Sequence, residues 1–313
     1  MPILRKAKTV LRISYTLPFV LASVTGVVFG LTKTDHILLG ILVIADVFFL
    51  SLFANLSNDY FDHKSGADKK RFMNDNPEVW QAARKIMGEK VYWDGNSFDL
   101  GYVSDRSGKI LVACLAGAAI GIGIPIILLG GWIALPLGLI ALALSLFYTA
   151  PPFNLGARGL GEVDVFASFT CMSYFSYFIV HQVFSVEMLM ISFAVGISVM
   201  LMRIVDEMTG YEAHVAAKEK DLAVRLGLEG TVKFVSYVLV AFFVVIGSLL
   251  LFNLTYILLF LNLVPAFRIV KFLTNKQDMF RFIRPVFQTL AMAMGTEILV
   301  ILALSVRSAL TYL

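Results

Sequence analysis

Charge is scarce in this sequence. Lysine, arginine, aspartate and glutamate make up 15% of its 313 residues, against about 25% in soluble globular chains. With 58% apolar residues and a mean hydropathy of +0.81, that shortage argues against the two soluble domains that length alone would allow. Cysteine is nearly absent. Cys114 and Cys171 both fall in apolar runs and imply no disulfide framework. Strict apolar–polar alternation is missing, which excludes a membrane β-barrel. No basic stripe interleaved with aromatics occurs, so the net charge of +4 reads as membrane topology rather than nucleic-acid binding. Low-complexity tracts and internal repeats are also missing. The first apolar run lacks a small-residue cleavage pattern and a second follows within a few residues, so it is expected to be a retained span.

What the chain does have is apolar runs along its whole length. They fall at roughly 13–31, 36–56, 109–130, 132–149, 164–184, 186–205, 231–252, 254–270 and 285–306. Runs of about 17–25 residues suffice to cross a hydrocarbon core of about 30 Å. Helices are expected, because lipid offers no partners to backbone groups that a helix does not satisfy itself. The expected fold is therefore all-α: one polytopic bundle of about nine transmembrane helices around a central cavity, a single domain over 1–313.

The connections divide by charge. Short ones lie at Thr32–Asp35, Gly131, Ser185 and Asn253; long polar ones lie at about 57–108, 150–163, 206–230 and 271–284. Of the 26 lysines and arginines, only Lys33 and Arg307 fall on the side of the short connections. The positive-inside rule puts the N-terminus and the long loops in the cytoplasm. An odd span count then leaves the C-terminus outside.

Two long loops carry the acids. At the end of the second run stand Asn55, Asn58, Asp59 and Asp62, at helical spacings of three and four that share one face. Asp68 can fold back over them through Gly66. Carboxylates and amides are hard oxygen ligands, and magnesium usually takes one or two carboxylates plus substrate phosphates. The plainer alternative is a solvated polar helix end. After the sixth run comes Arg203-Ile-Val-Asp206-Glu207-Met-Thr-Gly210-Tyr211-Glu212-Ala-His214, followed by Lys218, Lys220 and Arg225. Acids and bases together suit a metal–diphosphate; the alternative is a charged loop with internal ion pairs. A third loop, Tyr148 to Glu162, holds two prolines, three glycines and Arg158, and reads equally well as a tight connection. Asp46, Asp164, Glu187 and Glu297 are ionisable groups within or near spans and invite a functional hypothesis. Rings such as Tyr174, Phe175, Tyr177 and Phe178 suit cation–π stabilisation of an allylic cation.

These loops, in this order, resemble the UbiA superfamily of intramembrane prenyltransferases over essentially the whole chain. The first acidic motif matches at Asn58, Asp59, Asp62 and Asp68. Asn-Asp-Tyr-Phe-Asp followed by Gly-x-Asp is most similar to the menaquinone-pathway branch, which attaches a polyprenyl chain to 1,4-dihydroxy-2-naphthoate. Tyr148-Thr-Ala-Pro-Pro-Phe, Arg158-Gly-Leu-Gly-Glu162 and Leu222-Ala-Val-Arg-Leu-Gly227 resemble the same branch.

The second motif departs from the branch. Gly210 and His214 stand where the branch has two aspartates that hold its second magnesium. Asp206 adds a carboxylate in place of an amide.

The resemblance implies a magnesium-dependent prenyltransferase that moves a polyprenyl group from an isoprenyl diphosphate to an aromatic, naphthoate-like acceptor. It further implies a plasma-membrane protein of a prokaryote with its site on the cytoplasmic side. Magnesium would be held by Asn58, Asp59, Asp62 and Asp68 and, opposite them, by Asp206 and Glu212. Lys64, Lys69, Lys218 and Arg225 would reach phosphate oxygens, and Asn55, Tyr148, Arg158 and Tyr211 would contact substrate. His214 is a candidate for the base, since neutral imidazole is a poor magnesium ligand but a reasonable proton acceptor or transition-metal ligand. The alternatives are a terpene cyclase or prenyl-diphosphate hydrolase on the same fold, a catalytically silent homologue, or a transporter hinted at only by Gly117, Gly121 and Gly123.

Overall fold

A computed structural model describes residues 8–66, 96–150, 152–278 and 280–311. The described residues contain no strand. The helices are α1 (Ile13–Leu31), α2 (Ile37–Ser65), α3 (Asp105–Gly130), α4 (Ala134–Phe147), α5 (Gly161–His181), α6 (Val186–Thr209), α7 (Tyr211–Ala217), α8 (Leu222–Leu249), α9 (Leu263–Thr274) and α10 (Ile283–Thr311). A 3-10 segment, Leu254–Asn262, leads into α9.

Seven helical stretches among the described residues are long and apolar enough to cross a membrane. The other two expected spans are the shorter apolar helices Tyr15–Leu31 and Ala134–Phe147. Of the expected nine spans, seven meet that measure among the described residues. Several helices also run past their apolar stretch. α2 continues to Ser65 and α6 to Thr209, so both acidic motifs begin on rigid helix rather than in loops.

The starts and stops follow local chemistry. Ser104, Ser185 and Asp221 each accept the amide three residues on, satisfying donors that a helix N-terminus leaves open. Gly66 ends α2 in the left-handed conformation (φ 69°), which glycine adopts without a Cβ penalty.

α6 is the most buried of the long spans and α3 the least. Around α6 pack α5, α8 and α10; α1 packs on α5 and α2, and α2 on α3. Small residues let backbones approach: a Cβ on Gly26 of α1 would overlap the Ser173 carbonyl oxygen of α5. Ser23 and Ser176 then hydrogen-bond across that contact at 2.9 Å.

Glu187, at the start of α6, accepts hydrogen bonds from Tyr256 Oη (2.7 Å) and Arg307 Nη1 (2.6 Å). It is an ion pair that ties helix ends together. At 1.5 Å per residue, the 24 residues of α6 put this staple about 36 Å from the acidic motif at the other end. Glu297 lies fully buried in the interior of α10, neither oxygen hydrogen-bonded to a described residue.

Candidate active site

The first acidic motif occupies one face at the end of α2. Asn58 Nδ2 donates to Asp62 Oδ2 at 3.1 Å. Asn58 Oδ1 is buried and accepts no hydrogen bond from a described residue. Asp59 is 1% exposed, and Arg12 Nη1 reaches its Oδ1 at 2.9 Å. The Asp59 carbonyl oxygen accepts from Asn96 Nδ2 (2.7 Å), which docks the end of the long loop on the motif. Asn55 Nδ2 donates to Thr16 Oγ1 of α1 at 3.3 Å.

Lys64 sits nine residues after Asn55, half a turn out of phase with this face. It forms an ion pair with Asp105 at the start of α3. Helical phase turns it toward α3, and its reach to phosphate stays an expectation from the sequence. Asp68 and Lys69 lie outside the described residues.

The second motif is built at the end of α6. Arg203 Nη2 lies 2.8 Å from Glu207 Oε1 and Nη1 3.9 Å from Asp206 Oδ2. Glu207 is buried, whereas the Asp206 side chain is 57% exposed. The Arg203 guanidinium stands 5.9 Å over the Tyr148 ring. Glycines explain how Tyr148 gets there: Gly156 and Gly161 both pack against its ring. Gly159, with φ 78°, lets the loop meet the Lys220 carbonyl, which a Cβ there would overlap. Arg225 Nη1 reaches the Gly159 carbonyl at 3.5 Å, and Glu162 Oε1 accepts the Leu222 amide at 2.8 Å. The glycine-rich loop therefore clasps the start of α8. Arg158, Glu212 and Lys218 are exposed and Tyr211 is half-buried.

His214 does not stand open as a base. It is 4% exposed, and its Nδ1 lies 2.5 Å from Asp221 Oδ2. Asp221 Oδ1 meanwhile accepts the Val224 amide at 2.8 Å. Burial raises the Asp221 pKa, but the bonds from His214 and Val224 outweigh it and hold the carboxyl below its usual range. Gly210 belongs to the same arrangement, because a Cβ there would lie 2.8 Å from His214 Nε2. Glycine at 210 makes room for the ring at 214. His214 thus clasps the loop to the start of α8, and its expected role as a base stays an expectation from the sequence.

Beside the first motif stands a residue that sequence reasoning missed: Tyr15, next to the Arg12–Asp59 pair. The hydroxyl of Tyr15, on α1, lies within electrostatic reach of Arg12, Asp59 and Asp206 at once. Its side chain is stacked beneath the Arg12 guanidinium at 4.9 Å, and the residue remains 48% exposed. Arg12 itself holds a left-handed backbone (φ 48°, ψ 43°), costly for a residue with a Cβ. Arg12, Tyr15, Arg203, Glu162, Glu207 and Asp221 are thus additions to the site. Arg203, Glu207 and Glu162 already stood in the motifs quoted from the sequence, without assigned roles; Arg12, Tyr15 and Asp221 had no such signal as site residues. Two cavities, of about 340 and 390 Å³, lie to the side, one between α9 and α10 and one at the start of α3.

Comparison with known proteins agrees with this architecture. The model of the UbiA prenyltransferase family matches residues 100–290. Among solved structures, a UbiA homolog from Archaeoglobus fulgidus bound to GPP and Mg2+ superposes with a TM-score of 0.65 at 15% identity, covering 95% of this chain and 99% of that one. The apo UbiA homolog from Aeropyrum pernix K1 gives 0.66 at 14%, covering 95% and 98%. A structure concerned with digeranylgeranylglyceryl phosphate synthase in membranes gives 0.63 at 14%, covering 97% and 99%. At such identities the likeness speaks for the fold. No curated protein sequence matches the chain. The matched stretch takes in more than half of the sequence, and this integral membrane protein belongs to the UbiA prenyltransferase family.

Proposed function

We propose that the chain transfers a polyprenyl group from an isoprenyl diphosphate to an aromatic acceptor of the naphthoate type. The observation that carries this reading is the first acidic motif on one face at the end of α2, where Asn58 Nδ2 bonds Asp62 Oδ2 at 3.1 Å beside buried Asp59. On this proposal the acids at the end of α6 face the same ligand. The donor set suits magnesium: carboxylates of Asp59 and Asp62, and a buried Asn58 oxygen with no hydrogen bond from a described residue. On this reading Asn58, Asp59 and Asp62, with Asp68, hold one magnesium, and Asp206 and Glu212 hold the other. Bound there, magnesium would supply Lewis-acid neutralisation of the diphosphate. A UbiA homolog crystallised with DMAPP and Mg2+ fits the same expectation.

The chain's own residues would then divide the work. Arg12 and Arg203 sit beside the two carboxylate sets and supply positive charge to the departing diphosphate. The bond from prenyl C1 to oxygen breaks, and its electron pair leaves with the diphosphate. The apolar bundle keeps water from the allylic cation. A ring carbon of the acceptor bonds to C1, and the ring then loses a proton or carbon dioxide. The naphthoate acceptor and the menaquinone pathway rest on the motif Asn58-Asp59-Tyr60-Phe61-Asp62 with Gly66-x-Asp68. The cytoplasmic side rests on the distribution of lysine and arginine, and the plasma membrane on the family resemblance.

The test is transfer from a radiolabelled prenyl diphosphate in the presence of magnesium, with naphthoate, hydroxybenzoate and glyceryl-phosphate acceptors run in parallel. A prenylated naphthoate supports the reading. Diphosphate release that needs no acceptor assigns cyclase or hydrolase chemistry instead. Failure to release diphosphate at any prenyl length assigns a silent homologue, the reading favoured by the commitment of His214 to Asp221.

A further inference from the structure

We propose that His214, Glu219 and Asp221 form a binding site for a zinc-class divalent cation, separate from the magnesium positions above and serving to fasten the hairpin between α6 and α8. One ligand atom from each residue lies within 4.8 Å of the other two. Metal bonds of about 2.0–2.2 Å in a tetrahedral site place ligand atoms about 3.4 Å apart, so His214 Nδ1 and Asp221 Oδ2 part from their 2.5 Å contact while Glu219 closes in. The site is sheltered, with His214 4% and Asp221 1% exposed.

The ligand chemistry selects the cation. One imidazole with two carboxylates favours zinc or its neighbours over magnesium, which prefers oxygen alone. The hydrogen bond between His214 Nδ1 and Asp221 Oδ2 is the metal-free arrangement. Moving the ring hydrogen to Nε2 turns the Nδ1 lone pair to the cation. Nε2 makes no hydrogen bond to a described residue that would oppose this, and it faces the space that Gly210 leaves by lacking a Cβ. Asp221 can ligate through Oδ2 while Oδ1 keeps the Val224 amide, so the start of α8 is preserved. The cation would then join α7 to the start of α8 across the turn that carries Lys218.

The experiment is zinc titration of tag-free, metal-stripped protein in detergent against a chromophoric chelator, with magnesium in excess. The result expected is one tight equivalent. It should weaken at least tenfold in His214→Ala and Glu219→Gln, tenfold being the low end even for loss of an outer-shell partner, and persist in Asp62→Asn. Glu219→Gln leaves the His214–Asp221 bond and the helix cap intact, so its loss of zinc reports a lost ligand rather than misfolding. The proposal is overturned if zinc competes no better than magnesium. It is equally overturned if Glu219→Gln and His214→Ala bind as the parent does, or if Asp62→Asn abolishes the equivalent.

Discussion

Replacing Arg12 with glutamine probes the first acidic motif without touching a carboxylate. Arg12 Nη1 sits 2.9 Å from Asp59 Oδ1, with the aspartate side chain 1% and the arginine 14% exposed. A hydrogen bond to a charged group contributes about 1.5–3 kcal/mol, and loss of one partner from a fully buried pair costs about 3–5 kcal/mol. The arginine's partial exposure argues for the lower range, about 2 kcal/mol. Part of that cost is offset because glutamine relieves the left-handed backbone no better than arginine but carries no charge to desolvate. The consequence for cations has the opposite sign. Arg12 competes with a metal for Asp59, so removing it should tighten binding of the bare cation; each 1.4 kcal/mol of lost competition is about tenfold in affinity. The assay is thermal unfolding of the detergent-solubilised protein, followed by intrinsic fluorescence with and without magnesium, alongside manganese binding measured by electron paramagnetic resonance. Arg12→Gln should unfold at lower temperature without metal, regain much of the loss with it, and bind manganese more tightly than the parent. A variant that melts with the parent in both conditions and binds manganese equally would refute the placement of Arg12 at the metal motif.

Other consequences concern the second motif and its clasp. Arg203→Met should destabilise the protein by about 2 kcal/mol, the lower range because the Arg203 side chain is 21% exposed, since it strands buried Glu207; chemical denaturation should show the double variant Arg203→Met, Glu207→Leu recovering most of that loss. Gly159→Ala meets both a left-handed φ and the Lys220 carbonyl, and should cost about 1–3 kcal/mol and lower transfer activity, read by melting and by turnover. Asp221 has a depressed folded pKa, so its contribution is full above the ordinary carboxylate value of about 4 and is lost as pH falls through the folded value. Asp221→Asn keeps a good cap and should flatten that acid limb in a pH series of unfolding midpoints; an unchanged limb would contradict the His214–Asp221 linkage.

Much of the architecture was legible because membrane burial is written in runs. Where the apolar runs of α2 and α6 end, charged residues begin, and helical phase alone brought Asn58, Asp59 and Asp62 to one face. Phase also places Lys64, which the same arithmetic turns to Asp105. The partnership of Gly210 with His214 was not readable, because it depends on the space left by a missing Cβ. Arg12 was hidden differently. As one of four basic residues near the N-terminus it served the topology argument, and nothing local marks its reach across 47 positions to Asp59. Tyr15 comes to the first motif only through tertiary packing of α1, which no single-chain pattern encodes.

The most direct measurement is a double-mutant cycle on magnesium-dependent binding of an unreactive thiolo-diphosphate prenyl analogue, using Asp59→Asn, Asp206→Asn and their combination. The exposed side chain of Asp206 makes its replacement a clean perturbation of charge rather than folding. If the two acids hold one diphosphate from opposite sides, each single change weakens binding at least about tenfold, the 1.4 kcal/mol scale of one charge-assisted contact. The double change then falls well short of the product of the two. Binding that ignores Asp206→Asn, or losses that simply multiply, would contradict convergence of the two motifs on one ligand.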